Sequence, residues 1–374
     1  MAFDMITSVQ IERFKCFESL HLDLGRLTLL TGYNGAGKSS SLQPLLLMAQ
    51  ALRTPPLGPT LPLNGSLVRL GSAGDVVSLN AGGAIRLGVA TERDVSAFWV
   101  FDNDRQLGRH ELKLVHAHFS FEEGDHPRWS SRNRNELLET VRDVIFLGAV
   151  REPFGEAQPY PDDSTLAVGD VGVDGRYAPY WLVRQADEEV PESRRHPDDR
   201  RVTVRGQLDA WLTELFPEAN VSAEEIEGLA LAKTMFRIGR SSDWRRPSNV
   251  GYGLSYALPI LVALICAKPG QLFVVDSPEA HLHPRAQSAM GRLLAFFAAA
   301  GVQIVIESHS DHLLSGVRLA VRQAVLQPQD VMVHFFARSS ADGRSRIAIA
   351  ADGSIDQWPE GFFDQAITDL IGLS

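Results

Sequence analysis

The stretch Gly32-Tyr33-Asn34-Gly35-Ala36-Gly37-Lys38-Ser39 constrains this chain more than any other part of it. It follows a continuous apolar run over residues 27–31 and leads straight into an apolar helical stretch over residues 40–52. Glycines at this spacing let the backbone wrap closely round phosphates with its N–H groups turned inward. The helix start adds partial positive charge, a lysine reaches the β- and γ-phosphates, and a hydroxyl ligates Mg²⁺. Asn34, Gly35, Ala36, Gly37, Lys38, Ser39 and Ser40 are therefore candidate nucleotide-binding residues, with ATP and Mg²⁺ as the expected cofactors.

Two further apolar strands end in polar clusters. Residues 272–275 run into Asp276, a carboxylate suited to the Mg²⁺ shell beside Ser39. Ser277-Pro278-Glu279-Ala280-His281-Leu282-His283-Pro284 follows. Residues 304–306 run into Glu307-Ser308-His309-Ser310, where a histidine can donate to a γ-phosphate. Glu279, His281, His283, His309 and His312 also invite a metal-cluster reading, but His281-x-His283 lacks the spacing of a zinc helix motif.

The P-loop, DSPEAHLHP and ESHSDHLL, in that order, resemble the ABC/SMC-type ATPases. More narrowly, they are similar to the compact AAA-labelled, OLD-like ATPases known from bacterial anti-phage defence. The resemblance covers roughly residues 3–90 and 245–374. It implies an α/β ABC-type head with a mixed, mainly parallel core sheet, an antiparallel sub-sheet and a helical insertion. It also implies a homo-oligomer in which two ATP molecules lie between the P-loop of one subunit and the signature motif of another. Lys38 and Ser39 then map to Walker A, Asp276 to Walker B, residues 280–283 to the D-loop and His309 to the switch histidine.

Counting back from Asp276 places the signature at Gly253 and Ser255, without the usual LSGGQ wording. The position of the usual general-base glutamate holds Ser277, which has no suitable pKa to take a proton from water. Glu279 and Glu307 are the candidate substitutes, and each also reads as a structural contact. Slow turnover is the expectation.

Elsewhere the chain alternates between strand and helix patterns. Residues 6–14 and 20–23 read as strands, and residues 82–122 as an antiparallel meander. Pro44 predicts a kink or a loosened first turn in the helix that follows the P-loop. Residues 144–147 read as a strand, 208–216 as an amphipathic helix, and 253–266, 285–300 and 311–326 as helices around strands at 272–275 and 302–306. Four units follow: an ATPase lobe (1–150), a helical insertion (151–245), a second ATPase lobe (246–340) and a tail (341–374).

The charged stretch 187–205 reads as a solvated loop or a contact patch. Arg151 reads as reaching nucleotide or partner, or as a surface salt bridge. Arg237, Arg240, Arg245 and Arg246 form the best basic patch. Trp358, Phe362 and Phe363 surround a Pro/Gly turn that either packs back on the head or docks a partner.

The 374 residues carry a net charge of −10, which argues against a large non-specific nucleic-acid surface while leaving local contacts open. Two cysteines far apart, Cys16 and Cys266, rule out a disulfide framework and fit a reducing cytoplasm. No leader pattern or membrane-length apolar run is visible, so a cytoplasmic protein is expected. No nuclease constellation appears. The expected role is a regulatory ATPase that controls a second, effector protein, with a DNA-repair ATPase loading on duplex DNA as the alternative.

Overall fold

The computed structural model describes residues 4–54, 58–78, 83–102, 109–120, 127–162, 166–239, 243–337, 344–363, 369 and 372–373, with side chains of the 127–162 segment described from 131 onward. In chain order the first half holds β1 (Ile6–Phe14), β2 (Phe17–Asp23), β3 (Leu27–Gly32), α1 (Lys38–Leu52), β4 (Thr60–Pro62), α2 (Ala73–Val76), β5 (Ile85–Thr91), β6 (Ser96–Phe101), β7 (Glu111–Ser120), α3 (Pro127–Arg142) and β8 (Ile145–Leu147). The second half holds β9 (Gln158–Pro159), α4 (Ala178–Gln185), α5 (Val204–Leu215), β10 (Ala219–Glu225), β11 (Leu231–Ile238), α6 (Tyr252–Cys266), β12 (Leu272–Asp276), α7 (Pro284–Ala299), β13 (Gln303–Glu307), α8 (Asp311–Arg322), β14 (Val331–Phe336) and β15 (Arg344–Ile347).

The central sheet runs β15-β14-β3-β13-β12-β8, parallel except for β15 at the edge. Its parallel strands are mostly apolar because both faces are covered. Along β12, Phe273 and Val275 face the layer of α4–α8, whereas Leu272 and Val274 face α1, α3 and the antiparallel sheet. That second sheet runs β2-β1-β5-β6-β7-β4, and a small third one runs β10-β11-β9. The architecture is therefore the expected α/β head, with mixed and antiparallel sheets.

Several elements depart from expectation. α1 begins at Lys38 and runs unbroken through Pro44. The polar helix α3 was not visible in the pattern; it is anchored through Leu137 and Val141, four residues apart and buried. β14 and β15 extend the central sheet beyond the last expected helix. Gly82, residues 103–108, Phe121 and Glu122 of the expected meander lie outside the described residues.

The charged stretch 187–205 is more than a solvated loop. Arg194 is 1% exposed and donates to the Ala267 carbonyl at the C-cap of α6, while the Trp211 indole donates to the Arg194 carbonyl at 3.2 Å. Burial pulls the Arg194 pKa down to about 10. His196 is also buried, against Trp211.

α7 and α8 cross where both carry glycine. A Cβ on Gly291 would lie 2.2 Å from the Leu313 carbonyl oxygen, and one on Gly316 would lie 2.1 Å from that of Ser288. Only glycine permits this approach.

Candidate functional site: a phosphate loop at the carboxyl edge of the parallel sheet

The P-loop glycines serve two different purposes. Gly32 (φ 128°) and Gly37 (φ 104°) lie in the left-handed region, and a side chain on either would collide with protein. At Gly32 the obstacle is the Phe336 carbonyl oxygen at 2.2 Å; at Gly37 it is Phe17 at 2.7 Å and the Cys16 sulfur at 3.0 Å. Gly35 (φ 74°) has nothing within 4 Å of the same position, so the loop there borders open space. Gly37 is also the N-cap of α1, which places the helix start under the loop.

The loop walls a cavity of about 320 Å³ lined by Lys15, Cys16, Asn34, Gly35, Gly37, Lys38, Ser39, Ser40, Glu307 and His309. Lys38 is 4% exposed and donates to the carbonyls of Gly32 (3.1 Å) and Tyr33 (2.9 Å). Burial holds its pKa below the usual lysine range, against the opposing pull of Glu307 and Asp276. The Ser39 hydroxyl donates to Glu307 Oε1 at 3.0 Å.

Parallel pairing of β12 with β13 sets Asp276 beside Glu307, so two carboxylates share the sheet edge. Burial first, and the neighbouring Asp276 charge second, push the Glu307 pKa up to about 7. Ser277 occupies a left-handed turn (φ 51°), donates from its hydroxyl to Asp276 Oδ1 at 2.8 Å, and donates from its N–H to the Glu307 carbonyl at 2.8 Å. Its role is to shape the turn. Glu279 accepts from the His309 N–H at 3.0 Å, and its Oε2 is buried without a hydrogen-bond partner. The His309 pKa is held below its usual value, by burial first and Lys38 second.

This donor set suits a magnesium–nucleotide group. A buried ammonium, an open glycine, a helix start, one hydroxyl and an adjacent carboxylate pair match a phosphate and a hard cation. Ser39 and Asp276 would hold the metal, and residues 34–40 the phosphates.

Arg151 requires a correction. It is neither at the surface nor in the nucleotide cavity: it is 2% exposed and donates to the carbonyls of Gly148 (2.9 Å), Tyr256 (3.4 Å), Asp276 and Ser277 (3.3 Å). The Tyr256 hydroxyl donates back to the Arg151 carbonyl at 2.5 Å. Burial lowers the arginine pKa to about 10. One guanidinium thus ties α6 to the turn after β12, a role sequence reasoning missed.

Gly253 and Ser255, the expected signature residues, lie in the first turn of α6 and both pack inward. A Cβ on Gly253 would lie 3.0 Å from the His281 carbonyl oxygen, and the Ser255 hydroxyl is buried without a partner. The outward positions at the start of α6 are Gly251 and Tyr252, the latter 58% exposed. Of the basic patch, Arg237 bonds Asn220 and lies over the Trp244 ring, and Arg246 pairs with Glu156. Arg240 lies outside the described residues.

A family profile described as "AAA domain, putative AbiEii toxin, Type IV TA system" matches residues 27–315, most of the chain. The chain belongs to this AAA-domain family. In the AAA-domain chain a second profile, described as a protein of unknown function (DUF3696), matches residues 326–373. No curated protein matches.

Among solved structures, the AAA-domain chain is similar to an SMC head bound to the C-winged helix domain of ScpA, at 12% identity and TM-score 0.52, covering 92% of this chain and 98% of that one. It is also similar to an Smc head domain with an extended coiled coil, bound to the C-terminal domain of ScpA, derived from Pyrococcus furiosus. That match is at 12% identity and TM-score 0.50, over 99% and 100% of the two chains. The fold of this AAA-domain protein is that of an ABC/SMC-type P-loop ATPase head, and no described helix is long and apolar enough to cross a membrane.

Proposed function

We propose that this chain binds and slowly hydrolyses ATP and works as a nucleotide-gated dimeric switch that holds a separate effector protein in check. The observation that carries this reading is the convergence of Lys38, Ser39 and Glu307 on one cavity at the carboxyl edge of the sheet. In the closed dimer the start of α6 from one subunit, Gly251 and Tyr252 outward with Gly253 and Ser255 behind them, caps the P-loop site of the other. A bound Mg²⁺ would neutralise phosphate charge beside Ser39 and Asp276.

Lys38 would leave the loop carbonyls for the phosphates, and His309, which lines the same cavity, would meet the γ-phosphate. Glu307 is the better candidate for accepting a proton from water, because its raised pKa lies near neutral pH. Glu279 is already engaged in holding the His309 backbone.

The family description names a putative toxin of a type IV TA system, and such a two-protein setting is compatible with control of a second protein. The anti-phage role and the OLD-like kinship are part of this proposal and rest on the sequence resemblance. The neighbouring SMC heads carry a bound protein partner, which supports a protein ligand for this head as well. Of the arginine patch, one place where nucleic acid could be contacted, Arg237 and Arg246 are already engaged within the chain, which favours the protein-partner reading over the duplex-DNA alternative. A cytoplasmic setting fits two free cysteines.

The test is to titrate ATP with Mg²⁺ into wild type and Lys38→Ala by calorimetry while following mass by light scattering. Wild type should bind and double its mass. Lys38→Ala should lose about 100-fold in affinity, about 3 kcal/mol, and stay monomeric. An unchanged dissociation constant in a folded Lys38→Ala protein removes the nucleotide assignment, and a wild type that stays monomeric with ATP bound removes the dimer.

A further inference from the structure

The C-terminal segment, whose family profile carries no function, packs against the phosphate loop at Gly361 and Phe362. From β14 onward the chain doubles back: the Ala348 N–H donates to Asp356 at 3.0 Å, and the Gln357 amide donates to the Arg346 carbonyl at 2.9 Å. The turn is closed by the Phe362 N–H on the Pro359 carbonyl at 2.9 Å. Phe362 is fully buried, while Trp358 stays 53% exposed. An unbroken aromatic series crosses from one exposed ring to another through two buried ones: Trp358 to Phe362 at 5.2 Å, Phe362 to Phe335 at 5.5 Å, and Phe335 to Tyr33 at 5.9 Å between ring centroids. Tyr33 is the second residue of the P-loop.

The tail also touches Tyr33 directly. At Gly361 (φ 81°) a Cβ would stand 1.9 Å from the Tyr33 hydroxyl oxygen and 2.5 Å from Cζ. A glycine is required there by backbone conformation and by the ring seated against it. The main chain of Tyr33 is held as well: its N–H donates to the Phe336 carbonyl at 3.0 Å, and its own carbonyl accepts from Lys38 Nζ at 2.9 Å. The tail, the Tyr33 ring, the Tyr33 carbonyl and the lysine that reaches for phosphate therefore form one contiguous series of contacts.

We propose that Gly361 and Phe362 are positioning residues for the nucleotide site: the seated tail fixes Tyr33 and thereby holds the P-loop backbone in its binding conformation, with Lys38 resting on the Tyr33 carbonyl until phosphate takes its place. This rests on the nucleotide-site reading above. A preformed loop avoids the ordering cost at the moment of binding, so seating and nucleotide affinity rise together. Linkage makes the relation reciprocal: if an unseated tail weakens ATP binding about tenfold, bound ATP must favour the seated tail by the same factor. The exposed face of Trp358, with the Arg318 guanidinium 5.8 Å from its ring centroid, is then a surface whose order reports nucleotide occupancy.

The experiment is a double-mutant cycle in the full chain, using Gly361→Ala, Tyr33→Ala and both together. Dissociation constants for ATP with Mg²⁺, and unfolding temperatures, are measured for each. Gly361→Ala should weaken ATP about tenfold, and the added effect on affinity should vanish in the Tyr33→Ala background, where the strained tail no longer has a ring through which to act on the loop. Hydrogen exchange supplies the reciprocal readout: ATP should slow exchange at Phe362 in wild type and not in Tyr33→Ala.

A Gly361→Ala protein that melts lower yet binds ATP like wild type overturns the proposal and leaves the tail as scaffold. Equal losses of affinity in both Tyr33 backgrounds also overturn it. Loss of binding in Lys38→Ala is the control that separates failure of this proposal from failure of the nucleotide reading itself.

Discussion

Lys38 in the P-loop and Arg194 in the strap over residues 187–205 are both long cations removed from solvent, at 4% and 1% exposure. Both donate to main-chain carbonyls, and burial depresses both pKa values. They differ in what lies beyond the carbonyl. Arg194 ends at the C-cap of α6, where a cation complements the helix dipole and the core closes behind it. Lys38 ends at loop carbonyls that wall an open cavity. The comparison teaches that burial and charge together do not mark a functional cation. Replaceable partners facing open space do.

The comparison can be broken most directly at Arg194. Arg194→Ala leaves the end of α6 uncapped and a hole beneath Trp211, and should lower unfolding free energy by about 3 kcal/mol in chemical denaturation. Its ATP affinity should equal that of wild type. A parallel fall in affinity would show that the strap belongs to the site.

Arg151 stands between the two cases, because its carbonyl partners belong to both α6 and the turn that carries Asp276. Arg151→Met should cost about 2 kcal/mol in stability and about tenfold in ATP turnover at saturating nucleotide, with a smaller change in KM. Stability loss with unaltered turnover would place Arg151 with Arg194 as scaffold.

The smallest expected effect sharpens the electrostatic side. Glu307 titrates near 7 in the folded chain against an ordinary 4.5, so its charged form is disfavoured by folding. Wild type therefore loses stability as pH rises through that interval, and the loss is complete above it. Glu307→Gln lacks this penalty and can still accept from Ser39. It should be more stable than wild type by about 1–2 kcal/mol at about pH 8, with the difference fading to nothing below about pH 4. Unfolding curves at both pH values check this, and a constant offset would mean that the carboxyl is not titrating.

The sequence carried the P-loop, the Walker B strand and the His309 strand plainly, because each is a local run in which apolar residues lead directly into a polar terminus. What it hid has a common physical cause. Arg151 is one arginine after a short strand, and its decisive acceptors lie 105, 125 and 126 residues away. At Gly253, the expected signature glycine, the sequence could not show the His281 carbonyl and the Phe216 ring that leave little room for a side chain. α3 is polar over most of its length, and among its described side chains only a short apolar edge, Leu137, Leu138 and Val141, packs into the core. Arg194 was indistinguishable from its neighbours in a run of charges until α6 came to rest against it. β14, although strongly apolar, acquires meaning only beside β3, where it sets the back wall of the phosphate loop.

The glycine crossing of α7 and α8 has a mechanical consequence. α7 begins immediately after His283 and α8 immediately after Ser310, and the Ser310 hydroxyl donates to Gln287 at 2.6 Å, so the two helices are joined at their starts as well as at the crossing. With backbone packed on backbone at Gly291 and Gly316, there is no side-chain layer between them to shear. The pair therefore behaves as a single beam, with the rigid-body freedom of one helix instead of two. His283, which caps α7, and His309, which precedes the cap of α8, are therefore tied to one rigid unit, and a shift of either helix start carries the other with it.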